Sequence, residues 1–248
     1  MIGKTVYDLW PQSQADMFFL KDKELFDKPG QQKYEADISS SFGNKCIVQF
    51  HKVTFQNKSG KTIGLLGAIF DITDRKLMEE KLKFLGNHDP LTELPNRRQL
   101  IHDYERESRR ATRYNRKCAL YYMDLNKFKR VNDNLGHDVG DALLRFLAKK
   151  VKKLLRENET IYRVGGDEFC ILVPEFDNKE QLQVLAERVV NSISCIHQFD
   201  GMDIDIGCSI GIAVFPDNAK TLSDLTASAD KAMYIAKRSQ GYDFCFVE

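Results

Sequence analysis

The stretch RVGGDEF, Arg163 to Phe169, constrains this chain more than any other. It lies between the apolar runs Thr160–Tyr162 and Phe169–Val173, and such runs joined by a Gly-Gly pair read as a β-hairpin. The turn needs glycine for its backbone. It does not need the adjacent carboxylates Asp167 and Glu168, whose like charges repel. A second acidic position ends another apolar strand: in YYMDLNKF, Asp124 falls where the chain turns towards the next helix. If that strand lies beside the hairpin, Asp124, Asp167 and Glu168 meet at one sheet edge. Clustered carboxylates are stable only when something neutralises them. An oxygen-only ligand set suits Mg²⁺, which takes carboxylates together with substrate phosphates. Gly165 and Gly166 would let a phosphate chain approach the backbone closely. A surface turn with solvated acids is the plain alternative, and spacing alone does not choose between them.

The elements around the hairpin set its context. Arg97–Arg113 reads as a charged helix, Cys118–Leu125 as a buried strand, and Val139–Leu155 as an amphipathic helix with Leu143, Leu147, Val151 and Leu154 inward. Leu182, Leu185, Val189, Ile193 and Ile196 mark another helix. Ile204–Phe215 reads as a strand, Leu222–Ala236 as a helix and Tyr242–Val247 as a closing strand. Strands alternating with helices around one tight hairpin predict an α/β (α+β) fold with a mixed, mostly antiparallel sheet flanked by helices.

Before Asn87 the pattern differs. Helical pieces at Tyr7–Leu9 and Gln14–Leu20 precede strand-like runs at Gln32–Ser40, Cys46–Gln56 and Thr62–Ile72, with QNKSGK as a polar hairpin turn. This predicts a smaller α+β unit. Thr73 or Asp74 can cap a connecting helix that Gly86 ends, with Met78, Leu82 and Leu85 on one stripe and Glu79 placed to pair with Lys83. The stripe is too short to establish a coiled coil.

Composition excludes several classes. The chain has 248 residues, 42% hydrophobic and 29% charged, with a formal net charge of +1. A nucleic-acid groove usually leaves a basic imbalance, so no nucleic-acid partner is expected. No apolar run approaches the length of a membrane span, and the start lacks a signal peptide's apolar stretch. The six cysteines form no CxxC pair and the five histidines no HxxxH pattern, which points to reduced, mostly buried thiols in a cytoplasmic protein. Arg97, Arg98, Arg106, Arg109, Arg110, Arg113 and Arg116 crowd one region. Glu105 and Glu107 interrupt them, which favours a solvated helix face over an anion-binding surface.

The hairpin belongs to a longer series of motifs. HDPLTELPNRR (His88–Arg98), DLNKFKRVNDNLGHDVGDALL (Asp124–Leu144), RVGGDEF, CSIGIAVFP (Cys208–Pro216) and ADKAMYIAKRSQG (Ala229–Gly241) together resemble, in order and spacing, the diguanylate cyclase (GGDEF) family over residues 87–248. The resemblance implies condensation of two GTP into cyclic di-GMP with release of two pyrophosphates, by a homodimer in which each domain holds one GTP. It implies Mg²⁺, or Mn²⁺, among Asp124, the carbonyl of Leu125, Asp167 and Glu168, with Asp167 as candidate general base. Phe128 and Lys129 would offer backbone amides to the phosphates, and Lys129 and Lys237 would add positive charge. Asn132 and Asp141 would hydrogen-bond the guanine edge, with His137, Gly165 and Gly166 also on the substrate. A carboxylate accepts well from guanine's N–H donors, so adenine would be disfavoured.

The chain departs from the family in places. The family's inhibitory RxxD reads RENE here, keeping Arg156 but placing Glu159 where aspartate is expected; with Arg188 from a neighbouring subunit, this implies weakened product inhibition. An ordinary charged helix end is the alternative. Asn126 replaces a second aspartate, and AKRSQGYD lacks a phosphate-contacting arginine. Residues 1–72 resemble the later part of a PAS sensor domain, through GKTVYDLWP, DITDRK and the strands between, with residues 73–86 as connector. That domain's first strands are absent. Either the sequence is a shortened piece of a longer chain, or a partner chain completes the sheet. A catalytically silent GTP- or cyclic di-GMP-binding module and a template-dependent polymerase are the other functional readings; the intact acids disfavour the first and near-neutral charge the second.

Overall fold

The structure is a computed structural model that describes residues 2–39, 45–239 and 243–248. The chain divides into two compact units, Met1–Lys83 and Phe84–Glu248.

In the first unit, helices α1 (Val6–Leu9) and α2 (Gln12–Asp27) precede strands β1 (Gln31–Ser39), β2 (Lys45–Gln56) and β3 (Thr62–Asp71). The sheet order is β1-β2-β3, antiparallel throughout, with Ala36 opposite Val48 and Tyr34 opposite Phe50. Alternation puts Ala36, Ile38, Val48 and Phe50 on one face, where Phe18 of α2 closes a small core. Elsewhere the sheet is bare: Leu66 is 67% exposed, Ile69 52% and Phe70 51%. The expected end of the first strand at Ser40 lies outside the described residues.

Helix α3 (Thr73–Asn87) runs one residue past Gly86 and buries none of its side chains. The expected Glu79–Lys83 pair is replaced by Arg75–Glu79 at 3.8 Å. Both pairings are one helical turn long, so the sequence pattern did not separate them.

The second unit holds α4 (Arg97–Tyr114), β4 (Cys118–Asn126), α5 (Phe128–Leu135), α6 (His137–Lys152), β5 (Thr160–Gly165), β6 (Glu168–Val173), α7 (Lys179–Ser194), β7 (Gln198–Phe199), β8 (Met202–Asp203), β9 (Gly207–Phe215), α8 (Leu222–Arg238) and β10 (Phe244–Phe246). Its main sheet has the order β10-β9-β4-β6-β5, with only β10–β9 parallel. This is the expected mixed α/β fold, an antiparallel-dominated sheet flanked by helices. Period-2 alternation sorts the strands between two cores. Tyr121, Met123, Leu125, Phe169, Ile171, Ile210 and Ile212 face α5, α6 and α7. Leu120, Cys170, Leu172, Ala213 and Phe215 face α4 and α8. Each buried aliphatic or aromatic side chain contributes about 1.5–3 kcal/mol, so the sheet is held from both sides.

Local chemistry fixes the element ends. Asn96 caps α4 by accepting from the Arg98 and Gln99 amides at 2.9 and 3.1 Å. Helix α8 lies so close on β9 that a Cβ on Gly211 would stand 1.8 Å from the Ala229 carbonyl.

Several expected boundaries shift. The helix expected at Gln14–Leu20 extends over Gln12–Asp27. The Val139–Leu155 helix starts at His137 and ends at Lys152, and α5 stands before it as a separate helix because Gly136, at φ 90°, breaks the chain between them. The strand expected from Ile204 starts at Gly207, after a small hairpin turning at Asp200 and Gly201, both left-handed. Ile204 and Ile206 are still buried, which explains the strand-like pattern. Strand β10 is shorter than expected, and Tyr242 lies outside the described residues. Among the described residues Cys118, Cys170 and Cys208 are buried thiols, whereas Cys195 is exposed.

The arginine-rich helix α4 is not uniformly solvated. Glu107 is buried, as is Asp103, and Arg106 pairs with both at 2.9 Å. Tyr162 donates to Asp103 at 2.9 Å. The acids on this helix anchor it, and the arginines neutralise them.

Candidate functional site

Strand register brings the acids to one edge. Asp124 pairs directly with Glu168 across β4–β6, one pair beyond Met123–Phe169. The Leu125 amide donates to the Asp167 carbonyl at 3.2 Å, tying the hairpin turn to the end of β4. Gly165 pairs with Glu168, and Gly166 sits in the turn at φ 24°. A Cβ on Gly165 would stand 3.2 Å from Glu168 Oε2, so glycine leaves that carboxylate its room.

A clamp that sequence reasoning missed holds this turn. The Arg163 Nε and Nη2 donate to the Gly166 carbonyl at 3.0 and 2.8 Å, while Nη1 donates to both Asp89 oxygens at 3.0 Å. Asp89 also accepts from the Leu91 and Thr92 amides and the Thr92 hydroxyl. Burial opposes the Asp89 charge, but the Thr92 donors and the Arg163 guanidinium outweigh it and hold the carboxyl below its usual range. Arg163 reads in sequence as one more strand residue. The signal was its charge inside an otherwise apolar run.

The acids differ in their surroundings. Lys237 Nζ donates to Asp124 Oδ1 at 2.5 Å. Burial first, and then the Asp124 charge, push the Asp167 carboxyl above the ordinary range, with Lys237 and Arg163 offsetting part. Glu168 lines a cavity of about 470 Å³ between α4 and α8, beside Tyr122 and Asp230. Among the described residues no three acidic, histidine or cysteine side chains already form a metal cage. The donor set nonetheless fits a hard divalent cation: the oxygens are carboxylates, and Asp124 and Asp167 are close enough to feel each other's charge.

Past β4 the chain turns through Lys127, left-handed at φ 65°, straight into α5. The first amides of a helix have no intrahelical partner, so those of Phe128 and Lys129 are available to an anion. The Phe128 ring is buried, and the Lys129 side chain is exposed. Asn132, farther along α5, has a buried Oδ1 with no hydrogen-bond partner. It faces Gly140 of α6, where a Cβ would fall 1.8 Å from that oxygen. Asp141 follows on α6, and His137 is exposed at its first position. An orphaned buried acceptor is costly unless a ligand supplies the donor.

Arg156, Glu159 and Arg188 also come together, around a separate cavity of about 290 Å³. Glu159 is turned inward to accept from the Arg156 amide at 2.8 Å, and Arg188 donates to the Leu154 carbonyl at 2.9 Å.

Residues 86–242 match the family model described as "Diguanylate cyclase, GGDEF domain". The chain is 41% identical over 164 residues to the "Bifunctional diguanylate cyclase/cyclic di-GMP phosphodiesterase MucR" of Pseudomonas aeruginosa, covering 66% of this chain and 24% of that protein. It is 32% identical over 246 residues to a "Diguanylate cyclase" of Vibrio cholerae, covering 96% of this chain and 74% of that one. The crystal structure of the GGDEF domain of YfiN (TpbB) from Pseudomonas aeruginosa superposes with a TM-score of 0.60 at 34% identity, covering 63% of this chain and 98% of that one. The chain spans 20–37% of the length of the first curated relatives it matches. The match takes in the segment holding Asp89, the β4 edge, the clamped hairpin and α8, and on it the chain belongs to the GGDEF diguanylate cyclase family.

Proposed function

We propose that the chain is a diguanylate cyclase, condensing two GTP into cyclic di-GMP and two pyrophosphates. The observation that carries the reading is the β4–β6 register, which sets Asp124 opposite Glu168 with Asp167 in the adjoining turn. This edge lies where β4 hands over to the open N-terminus of α5.

Each group then has a task. The Phe128 and Lys129 amides bind the phosphates, with the Lys129 ammonium adding charge. Lys237 holds Asp124 and neutralises it between turnovers. The Asn132 oxygen and Asp141 accept guanine's N–H donors; adenine has no such pair on the same edge, so GTP is selected. Gly165 and Gly166 keep side chains out of the path of the triphosphate, and His137, exposed at the start of α6, adds a substrate contact. Asp124, Asp167, Glu168 and the Leu125 carbonyl are the groups that would hold Mg²⁺ or Mn²⁺. When bound, such a cation stabilises charge on the α-phosphate and lowers the pKa of the attacking ribose 3′-hydroxyl. Asp167, in the turn adjoining Asp124, is the candidate general base for that proton.

Because one domain holds one GTP, two must face each other. The exposed Met78, Leu82 and Leu85 of α3 offer an apolar stripe for such pairing. Residues 1–72 are read as a PAS-like sensor part acting on that pairing. A chain without them, with rate and concentration dependence equal to the full chain, would remove this controlling role.

The test is incubation with GTP and Mg²⁺, following pyrophosphate and cyclic di-GMP, beside Asp167→Ala. Both products are expected, with specific activity rising with protein concentration and a loss of at least about 10²-fold in the variant. Pyrophosphate without cyclic product excludes the dimeric reaction. A silent nucleotide-binding module is the second reading, since the orphaned Asn132 acceptor would serve binding without turnover equally well. It predicts GTP binding with neither product.

A further inference from the structure

Among the described residues Glu168 forms no ion pair, whereas Asp124, opposite it, has Lys237. Its side chain borders the cavity of about 470 Å³ between α4 and α8. A carboxylate beside so open a space has several rotamers within reach, and something must choose among them.

The register identifies what does. Tyr122 pairs with Cys170, and Asp124 with Glu168, so Tyr122 and Glu168 occupy diagonal positions on the same face of the sheet. Both side chains line the cavity, and diagonal neighbours on one sheet face are within reach of a long aromatic side chain. The half-buried ring packs against the α4/α8 core, which leaves its hydroxyl little freedom. Asp230 of α8 lines the same cavity as a competing acceptor, and Arg97 completes the polar rim.

We propose that Tyr122 is the positioning residue for Glu168: its hydroxyl donates to one carboxylate oxygen and leaves the other directed to the sheet edge, towards a divalent cation shared with Asp124 and Asp167. The inference rests on the diguanylate cyclase reading and adds to it a residue that does not itself touch substrate. Tyr122 acts through Glu168, as outer-shell partners orient the ligands of metal sites.

The experiment is Tyr122→Phe in the full chain, with Mn²⁺ binding followed by electron paramagnetic resonance. Guanosine 5′-[α,β-methylene]triphosphate is present, in which the bond to be broken is inert. The variant is expected to bind Mn²⁺ about 10-fold more weakly, with its thermal unfolding unchanged. Affinity for the analogue at saturating Mn²⁺ should also stay as it was. A Tyr122→Phe isotherm that overlays the unsubstituted one, while Asp167→Ala loses Mn²⁺, overturns the inference alone. If Asp167→Ala also binds normally, the carboxylate site itself falls. Should Tyr122→Phe unfold earlier, the double variant with Glu168→Gln decides. An effect that disappears in that background supports action through Glu168, and one that persists undiminished refutes it.

Discussion

Arg163 uses both ends of its guanidinium, one on the Gly166 carbonyl and one on Asp89, with both charged side chains largely out of water. Removing one partner of such a pair leaves the other buried and unmatched, which costs more than the pair contributes. Asp89→Asn should therefore destabilise the second unit by about 2 kcal/mol at neutral pH. The sign with pH follows from the depressed carboxyl. Its contribution is complete above the ordinary aspartate range and is lost as pH falls through the lowered folded value. Urea unfolding of both proteins should differ at neutral pH and converge in strong acid; a gap that stays constant would contradict the assignment. At this scale the meeting of Asp124, Asp167 and Glu168 at one sheet edge was legible, because their chemistry is unusual for its setting. Sequence reading failed where function lies in a pairing. Tyr122 is not out of place in a strand, Arg163 is marked only by its charge, and the partners of both are visible only once register is known. Glu107 failed in the opposite sense, because a glutamate among arginines looks solvated until packing buries it.

At the scale of elements, two glycines set how closely helices approach. Gly211 lets α8 rest backbone-to-backbone on β9, and Gly140 lets α6 close on Asn132 of α5. Only the second borders the proposed base site. Gly140→Ala should leave the fold intact, because an amide side chain can swing where a carbonyl cannot. It should raise the KM for GTP about 10-fold, with kcat changed far less, by displacing Asn132. Initial-rate kinetics check this, and an unchanged KM would detach Asn132 from guanine recognition. The strands were legible because Cys118–Leu125 and Phe169–Val173 are short, nearly continuous apolar runs, as strands buried on both faces require. Helix α5 was not read as separate. It buries only Phe128 and Val131, too few to show a period, and its end depends on the positive φ of Gly136.

For the whole molecule, the contrast is between a unit with two filled cores and one with a single small core. In the first unit Val53, Leu66, Ile69 and Phe70 lie open on the sheet, and β1 and β3 are both edges. Exposed apolar surface beside unpaired strand edges favours association. Leu66→Lys should cost no more than about 0.5 kcal/mol of stability, since the side chain is mostly in water. It should also reduce concentration-dependent association in sedimentation velocity; unchanged sedimentation would show that this face takes no part.

The Arg163 clamp does not stand alone. The Arg163 amide donates to the Pro95 carbonyl at 3.0 Å, and Asn96 next to it reaches the Gly86 carbonyl at the end of α3 at 3.2 Å. Helix exit, entry loop and acidic turn are thus stitched into one short seam. The bonds of this seam lead from the Gly86 carbonyl to the Gly166 carbonyl, the residue before Asp167. Control of the chemistry through this route would come as displacement of the hairpin in one piece, and a single cut stitch would leave the acids in place but deaf to the helix.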